Sequence, residues 1–541
     1  MTFTVIRYNR VVRKQTKLVI FSLVILSIFG FVFFSIPNSK ASENLAMITM
    51  FEPDESTMLP VVKRMIHPQP NLIYTIGRFV AYGFYSYGFP LYAPSGMIYK
   101  ALTVFGQGEN YPLIMLVMRQ LISVIPMLAS LWILVYLQDQ FKTWRSIALF
   151  VFLLSVPAVI QNGFWWHPDG LVMLFSSLVL YFLWKDNRTF GKHFYLAAVL
   201  CAVLIALKVV GLFFFLTIAM VVIWGLAEKQ LTWKQFFIKG FLFILIMAVS
   251  ILAASPHLLI PNHRILALNV FKKEFFETSQ GYGIVYDKGL QAAWFTITAF
   301  YGKAIFLVIT LAVSVWSLWD KETRFLRALI LSWLLPLSVY LLFFSHFKYQ
   351  YWLPVAIPLI SNLAFLIQRN EGEPQHKPSF VKYALLVIVL IQFVLFFSKD
   401  LELFTIRNNR KENSPAIRFY DQAVVVLAPV TQELKVYYDY RLYMPDTPAW
   451  TTETSFDLLT YQYIQSGNFD ILFLEQQRTL DYIQEGVVGI DPETFPLAQA
   501  FYRDANDGNI EGYDLLVRDE SALLFIKEDL CSLYFDDQRC Q

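Results

Sequence analysis

The sequence predicts an α-helical multi-pass membrane protein of about eleven transmembrane helices, with a C-terminal extracytoplasmic domain of α/β or α+β type. Three observations predict it. Of 541 residues, 56% are hydrophobic, 17% aromatic and only 16% charged, and the mean hydropathy is +0.49, too apolar for a soluble globular chain. Apolar segments near spanning length recur up to residue 398. Beyond residue 399 the composition turns soluble. The net charge of +3, from 44 Lys+Arg and 41 Asp+Glu, points to neither nucleic acid nor a strongly anionic partner.

The N-terminus carries Arg7, Arg10, Arg13, Lys14 and Lys17 with no acid, ahead of the apolar run at 18–36. That run reads as an uncleaved anchor or as a signal peptide cleaved near "NSKAS"; its length and the spans that follow favour the anchor. The positive-inside rule then makes the N-terminus cytoplasmic. Further apolar segments fall at 113–137, 147–161, 170–184, 194–207, 210–226, 240–255, 292–319, 328–345, 352–367 and 383–398. The alternate loops "QDQFKTWR", "KDNRTFGKH", "AEKQLTWKQFFIK", "DKETRFLR" and "QRNEGEPQHKPSFVK" each hold at least two Lys or Arg residues, whereas "QNGFWWHPD" holds none. This asymmetry fits the orientation, and an odd number of spans puts the C-terminus outside.

The chain divides at 1–398, a membrane domain with a large first outer loop at 37–112, and at 399–541, a soluble domain. The first outer loop suggests amphipathic helices lying along the membrane surface, and Pro60 argues against one unbroken helix from Pro53. A second outer stretch spans 255–289. In the soluble domain "QAVVVLA", "LKVYYDY", "FDILFLE" and "SALLFIKE" look like short strands. Three cysteines are too few for a disulfide framework. Cys201 lies in a span, while Cys531 and Cys540 either form one bridge or remain free thiols.

Four groups of polar residues gather on the outer side. Asp54 and Glu55 in "MFEPDEST" are either an acidic helix start after Pro53 or carboxylates able to take a proton or hold a divalent cation. In "FWWHPDGLVML", Asp169 either caps the next helix or joins Asp54 in a site, and His167 beside two tryptophans is an interfacial anchor or a ligand-binding group. Lys208 in "LIALKVVGLFFF" either snorkels at a helix end or meets an anionic lipid headgroup. "SHFKYQYWLPVAIP" supplies His346, Lys348 and Tyr351, which read as an aromatic and basic membrane edge or as part of the site, while Lys272 in the preceding loop reads as a solvated helix face or a second cation.

The order of these motifs resembles the GT-C superfamily of glycosyltransferases, and within it the bacterial relatives of protein O-mannosyltransferases and aminoarabinose transferases. The resemblance rests on the acid pair in the first outer loop, the "HPDG" acid, the "LKVVGL" lysine and the "YxxPxxxP" edge at Tyr351, Pro354 and Pro358. It implies a polyprenyl-phosphate-linked sugar donor, a lipid, glycan or protein acceptor, and an inverting displacement at a bacterial plasma (inner) membrane. It further implies Asp54 as general base, Asp169, Glu55 and His167 orienting the acceptor, and Lys208, with Lys348 or Lys272, on the phosphate. A divalent metal held by Asp54 and Asp169 is also compatible with it. The superfamily often carries Arg before the late Tyr; here Gln350 stands there, with Lys348 the nearest replacement. A secondary transporter and a noncatalytic membrane scaffold are the rival readings. One-sided acids and the lack of repeated halves weigh against a transporter.

Overall fold

The computed structural model describes residues 2–367, 380–536 and Cys540. The basic loop "QRNEGEPQHKPSFVK" lies largely at 368–379, outside the described residues. Every expected apolar segment is helical, and the molecule is a multi-pass membrane protein with a sheet-containing C-terminal region. Among the described residues seven helices are long and apolar enough to cross a membrane, or eight if a bent pair counts as one span. The difference from eleven has a local cause at each place. Pro157 divides the 147–161 segment into Arg145–Leu154 and Pro157–Asn162, and Lys192–Leu207 is short. Helix Asp169–Asp186 carries charges at both ends. The 292–319 segment bends by 90° between Leu290–Phe300 and Ala304–Trp319, at Gly302, whose φ of +109° favours glycine.

Burial sorts the spans. Tyr111–Asp139 and Tyr349–Ile367 are mostly buried, whereas Trp233–Ala254 and Phe380–Asn408 keep nearly all their apolar surface outward, as lipid-facing helices do. The first of these contains a π-helical turn, Arg119–Val124, a wider turn often found at functional sites. The 37–112 stretch forms helices Leu45–Phe51, Pro53–Ile66, Leu72–Val80 and Phe89–Val104. Helix Pro53–Ile66 runs unbroken through Pro60, contrary to expectation. A mid-helix proline costs about 3 kcal/mol, and burial of Met58, Leu59, Val61, Val62 and Met65 offsets it.

Among the described residues eight strands complete the fold: β1 (Gln280–Gly281), β2 (Ile284–Val285), β3 (Leu434–Tyr438), β4 (Trp450–Glu453), β5 (Ile471–Glu475), β6 (Val488–Gly489), β7 (Tyr513–Arg518) and β8 (Ala522–Lys527). Five form a mixed sheet in the order β4-β3-β5-β8-β7, with β3 parallel to both neighbours and the other pairs antiparallel. Both faces of β5 and β8 are covered: Ile471, Phe473 and Leu524 enter one core, Leu472, Leu474 and Phe525 the other. That is why "FDILFLE" reads as a continuous apolar run rather than an alternating one. "QAVVVLA" is not a strand; it ends helix Pro415–Leu427. Ser414 caps that helix, Pro415 opens it, and Phe419, Ala423 and Leu427 bury one face at a spacing of four.

The C-terminal region is joined to the rest in several places. Strands β1-β2-β6 form a small antiparallel sheet that brings the 255–289 stretch against it. Helix Phe380–Asn408 crosses residue 398 without interruption. Cys531 and Cys540 are bonded to each other, and Cys201 is free and buried.

Candidate active site

The acids of "MFEPDEST" diverge. Glu52 pairs with Arg407 and, at 2.9 Å, with Arg410, near the end of helix Phe380–Asn408. One turn on, Glu55 is fully buried: Arg119 Nε donates to its Oε1 at 2.9 Å and Nη2 to its Oε2 at 2.5 Å. The Trp166 amide also donates to Glu55 Oε1, at 2.6 Å. Arg119 reaches further, to the Asn38 carbonyl at 2.8 Å, so one guanidinium ties three segments together. Between the two anchored acids Asp54 keeps a side chain 46% exposed. It faces a cavity of about 560 Å³.

Asp54 begins a chain of polar contacts. Tyr87 Oη donates to Asp54 Oδ2 at 3.2 Å and meets His167 Nε2 at 2.8 Å. His167 Nδ1 bonds Asp169 Oδ2, and Lys208 Nζ donates to Asp169 Oδ1 at 2.7 Å. Burial first, and then the charge of Asp54, raise the Tyr87 hydroxyl well above its ordinary pKa, which keeps it a donor. Trp165 stacks on the His167 ring at 4.2 Å and fixes its plane. Lys208 lies over the Tyr351 ring at 4.9 Å, with Lys348 on the same ring at 5.9 Å. The cavity is also lined by apolar side chains, among them Phe213, Ile251, Leu258, Phe271 and Leu341.

Close backbone contact sets two of these groups. Gly170 does not serve as a turn residue: a Cβ there would lie 2.6 Å from the Ser123 carbonyl oxygen of the π-helical turn. The start of helix Asp169–Asp186 thus rests directly on that turn. Gly88 abuts the end of helix Lys192–Leu207, next to Lys208, and its Cβ would come 1.5 Å from the Ala206 oxygen. Gly88→Ala is therefore expected to lower stability by about 1–3 kcal/mol, the usual cost of overpacking, measured by thermal unfolding in detergent.

The expected residues divide into two sets. Asp54, Lys208, Lys348 and Tyr351 line the cavity, and His167 and Asp169 lie directly behind them. Glu55 is turned away into the Arg119 pair, Lys272 is exposed and does not line the cavity, and Gln350 is buried outside it. His346 packs on Tyr286 at 4.6 Å, beside a second cleft, and burial lowers its pKa. The sequence reading missed Tyr87, Glu274 and His257, all in the cavity wall. Burial lowers the His257 pKa to about 4. It also missed Arg119, although an arginine inside an apolar span is a signal in itself. Tyr87 has no local signal.

The donor set does not fit a divalent metal at Asp54 and Asp169. Both Asp169 oxygens are engaged, one by a lysine ammonium. Among the described residues the one group of three metal-type ligands at suitable spacing is Asp514, Cys531 and Cys540, and those sulfurs are bonded to each other.

No protein-family model matches the sequence, and no curated protein matches it. Solved structures do. ArnT from Cupriavidus metallidurans bound to undecaprenyl phosphate is 12% identical, with 93% of this chain and 97% of that one covered at a TM-score of 0.51. The Archaeoglobus fulgidus oligosaccharyltransferase in the apo form is also 12% identical, covering 93% of this chain and 80% of that one at a TM-score of 0.53. Archaeal AglB from the same organism, in complex with an inhibitory peptide and a dolichol-phosphate, gives 12%, 91%, 79% and a TM-score of 0.50. At such identities the likeness is one of fold: over more than nine-tenths of its length the chain shares the fold of these solved structures.

Proposed function

We propose that this protein moves a sugar from a polyprenyl-phosphate-linked donor to an acceptor on the extracytoplasmic face of the membrane, by a single inverting displacement. The observation that carries the reading is one cavity lined by a half-exposed carboxylate, Asp54, by two lysines, Lys208 and Lys348, and by apolar side chains such as Phe213, Ile251 and Leu341. A lipid phosphate needs both: cations for its charge and apolar surface for its chain. The comparisons lend support, since ArnT was solved with undecaprenyl phosphate and AglB with a dolichol-phosphate and a peptide.

In this reading Asp54 accepts the proton of the acceptor hydroxyl as its oxygen bonds the anomeric carbon. The bond from that carbon to the phosphate oxygen breaks, and the polyprenyl phosphate leaves with the electron pair. Lys208 and Lys348 stabilise the charge on the departing phosphate. Asp169 holds Lys208, and His167 with Tyr87 holds Asp54 in line, so these three are positioning residues. Glu55 is structural, and Lys272 and His346 stand outside the chemistry. Residues 1–398 carry catalysis in a bacterial plasma (inner) membrane, with the N-terminus cytoplasmic and 399–541 outside.

Membrane vesicles offered a radiolabelled lipid-linked sugar test the reading: covalent transfer is expected, whereas solute uptake or no reaction would refute it. Lys208→Ala is expected to raise the KM for donor by about tenfold or more, the worth of a hydrogen bond to a charged group. An unchanged donor dependence would remove Lys208 from the phosphate site.

A further inference from the structure

A second cavity of about 350 Å³ opens between the C-terminal region and the 255–289 stretch. Tyr282 lines both it and the cavity that holds Asp54. The conformation of Tyr282 is unusual. β1 and β2 pair Gln280 with Val285 and Gly281 with Ile284, which leaves Tyr282 and Gly283 as a two-residue loop with φ of 52° and 82°. A loop with both residues at positive φ favours Asn-Gly. A bulky side chain there is an outlier of the sort that clusters at functional sites.

The surroundings hold it there. Tyr482 Oη donates to the Tyr282 carbonyl at 2.8 Å, and the Ile490 amide donates to the Gly283 carbonyl at 2.9 Å. The Tyr282 ring lies nearly parallel to Tyr440, at 13° and 5.9 Å. A loop that only reversed the chain would have no use for this ring.

The chemistry of the cleft narrows its ligand. Tyr440 carries the guanidiniums of Arg441 and Arg478 at 5.5 and 5.7 Å from its ring centre. Arg478 is engaged by Asp439 at 2.5 Å and by the Asp457 carbonyl at 2.7 Å. Arg441 is 41% exposed; its Nε donates to the Tyr440 hydroxyl at 3.1 Å, and its Nη1 lies 3.6 Å from Glu475. Asp287, Asp481 and Glu485 also line the cleft, so three carboxylates oppose two guanidiniums and an anion gains no net field. Tyrosines and charged groups outnumber aliphatic side chains in the wall, which disfavours an apolar peptide. Tyrosine edges and hydroxyls beside charged hydrogen-bonding side chains suit an uncharged, hydroxyl-rich ring.

We propose that this cleft binds the saccharide portion of the acceptor, and that Tyr282 is the shared wall along which the acceptor hydroxyl reaches Asp54. The proposal rests on the glycosyl-transfer reading and adds the acceptor's chemical class, a glycan or glycolipid headgroup.

The test uses the full chain in detergent carrying Asp54→Asn, so that a bound acceptor is not consumed. The probe is the glycan and glycolipid fraction extracted from cells lacking the gene, and retained molecules are identified by mass spectrometry. A sugar-bearing molecule is expected on the Asp54→Asn protein, with at least tenfold less on Asp54→Asn/Tyr282→Asn and on Asp54→Asn/Arg441→Ala. Asn is the favoured residue at this loop position, so Tyr282→Asn is expected to leave the unfolding midpoint unchanged or raise it. Equal retention by all three proteins, no retained saccharide on the parent, or retention of an unglycosylated peptide alone would each overturn the proposal. In vesicles, unchanged acceptor dependence for Tyr282→Asn with transfer lost in Asp54→Asn sinks the cleft alone. Wild-type transfer by Asp54→Asn sinks the transfer reading itself.

Discussion

Asp54→Asn is expected to abolish glycosyl transfer while the protein stays folded and inserted in the membrane. The side chain is nearly half exposed, and its hydrogen bond comes from Tyr87, a donor that the Asn amide oxygen also accepts, without the assistance of the charge. Size and contacts are kept; the basic oxygen is lost. Removal of a general base costs about 10²–10⁴-fold in rate. Initial rates of transfer in vesicles, normalised to the amount of inserted protein, check it, and wild-type turnover would remove Asp54 from the chemistry. The neighbouring position offers the contrast. Glu55→Gln is one residue away, yet its cost falls on the fold, because Arg119 then sits buried without its counter-charge.

Loss of the partner is the second large effect. Arg119→Ala leaves Glu55 charged and unpaired at a site with no exposure, which costs about 3–5 kcal/mol. Most of that is the desolvation of an orphaned carboxylate rather than the worth of the pair. The same change frees the Asn38 carbonyl and loosens the π-helical turn against which Gly170 packs. Denaturant or thermal unfolding of the solubilised protein measures it; a change under about 1 kcal/mol would contradict the buried-pair account. Arg119→Met with Glu55→Gln is expected to recover part of the loss. Gln removes the charge but keeps an oxygen for the Trp166 amide, which would otherwise be stranded.

These two predictions separate acids that stand side by side in the chain. A carboxylate with exposure and a single neutral donor is available for proton transfer. One saturated by a guanidinium and a backbone amide is not.

Much of the fold was legible in one dimension. Apolar runs of near-spanning length, basic loops at alternate connections, and the change of composition near residue 399 carry the membrane class and the C-terminal region, because the bilayer imposes length and hydropathy on each segment separately. The strands at 434–438, 471–475 and 522–527 were legible for a like reason. The helix at 415–427 was not, since a run of valines has the same hydropathy in either conformation and only the buried spacing of Phe419, Ala423 and Leu427 decides. Pro60 misled in the same way, because packing outweighed a local cost.

The sequence by itself determined which residue types stand at each of these turns: the acids near 54, the "HPDG" acid, Lys208 and the tyrosine edge. Tertiary structure alone decided which of them meet. Arg119 and Glu55 are 64 residues apart, Lys208 and Asp169 are 39 apart, and Tyr87 reaches both Asp54 and His167 from a loop with no marker of its own. Hydropathy and charge act on a segment wherever it lies, whereas an ion pair or a cavity wall exists only once distant segments are packed, and that packing sets which acid is spent on the fold and which is left free for chemistry.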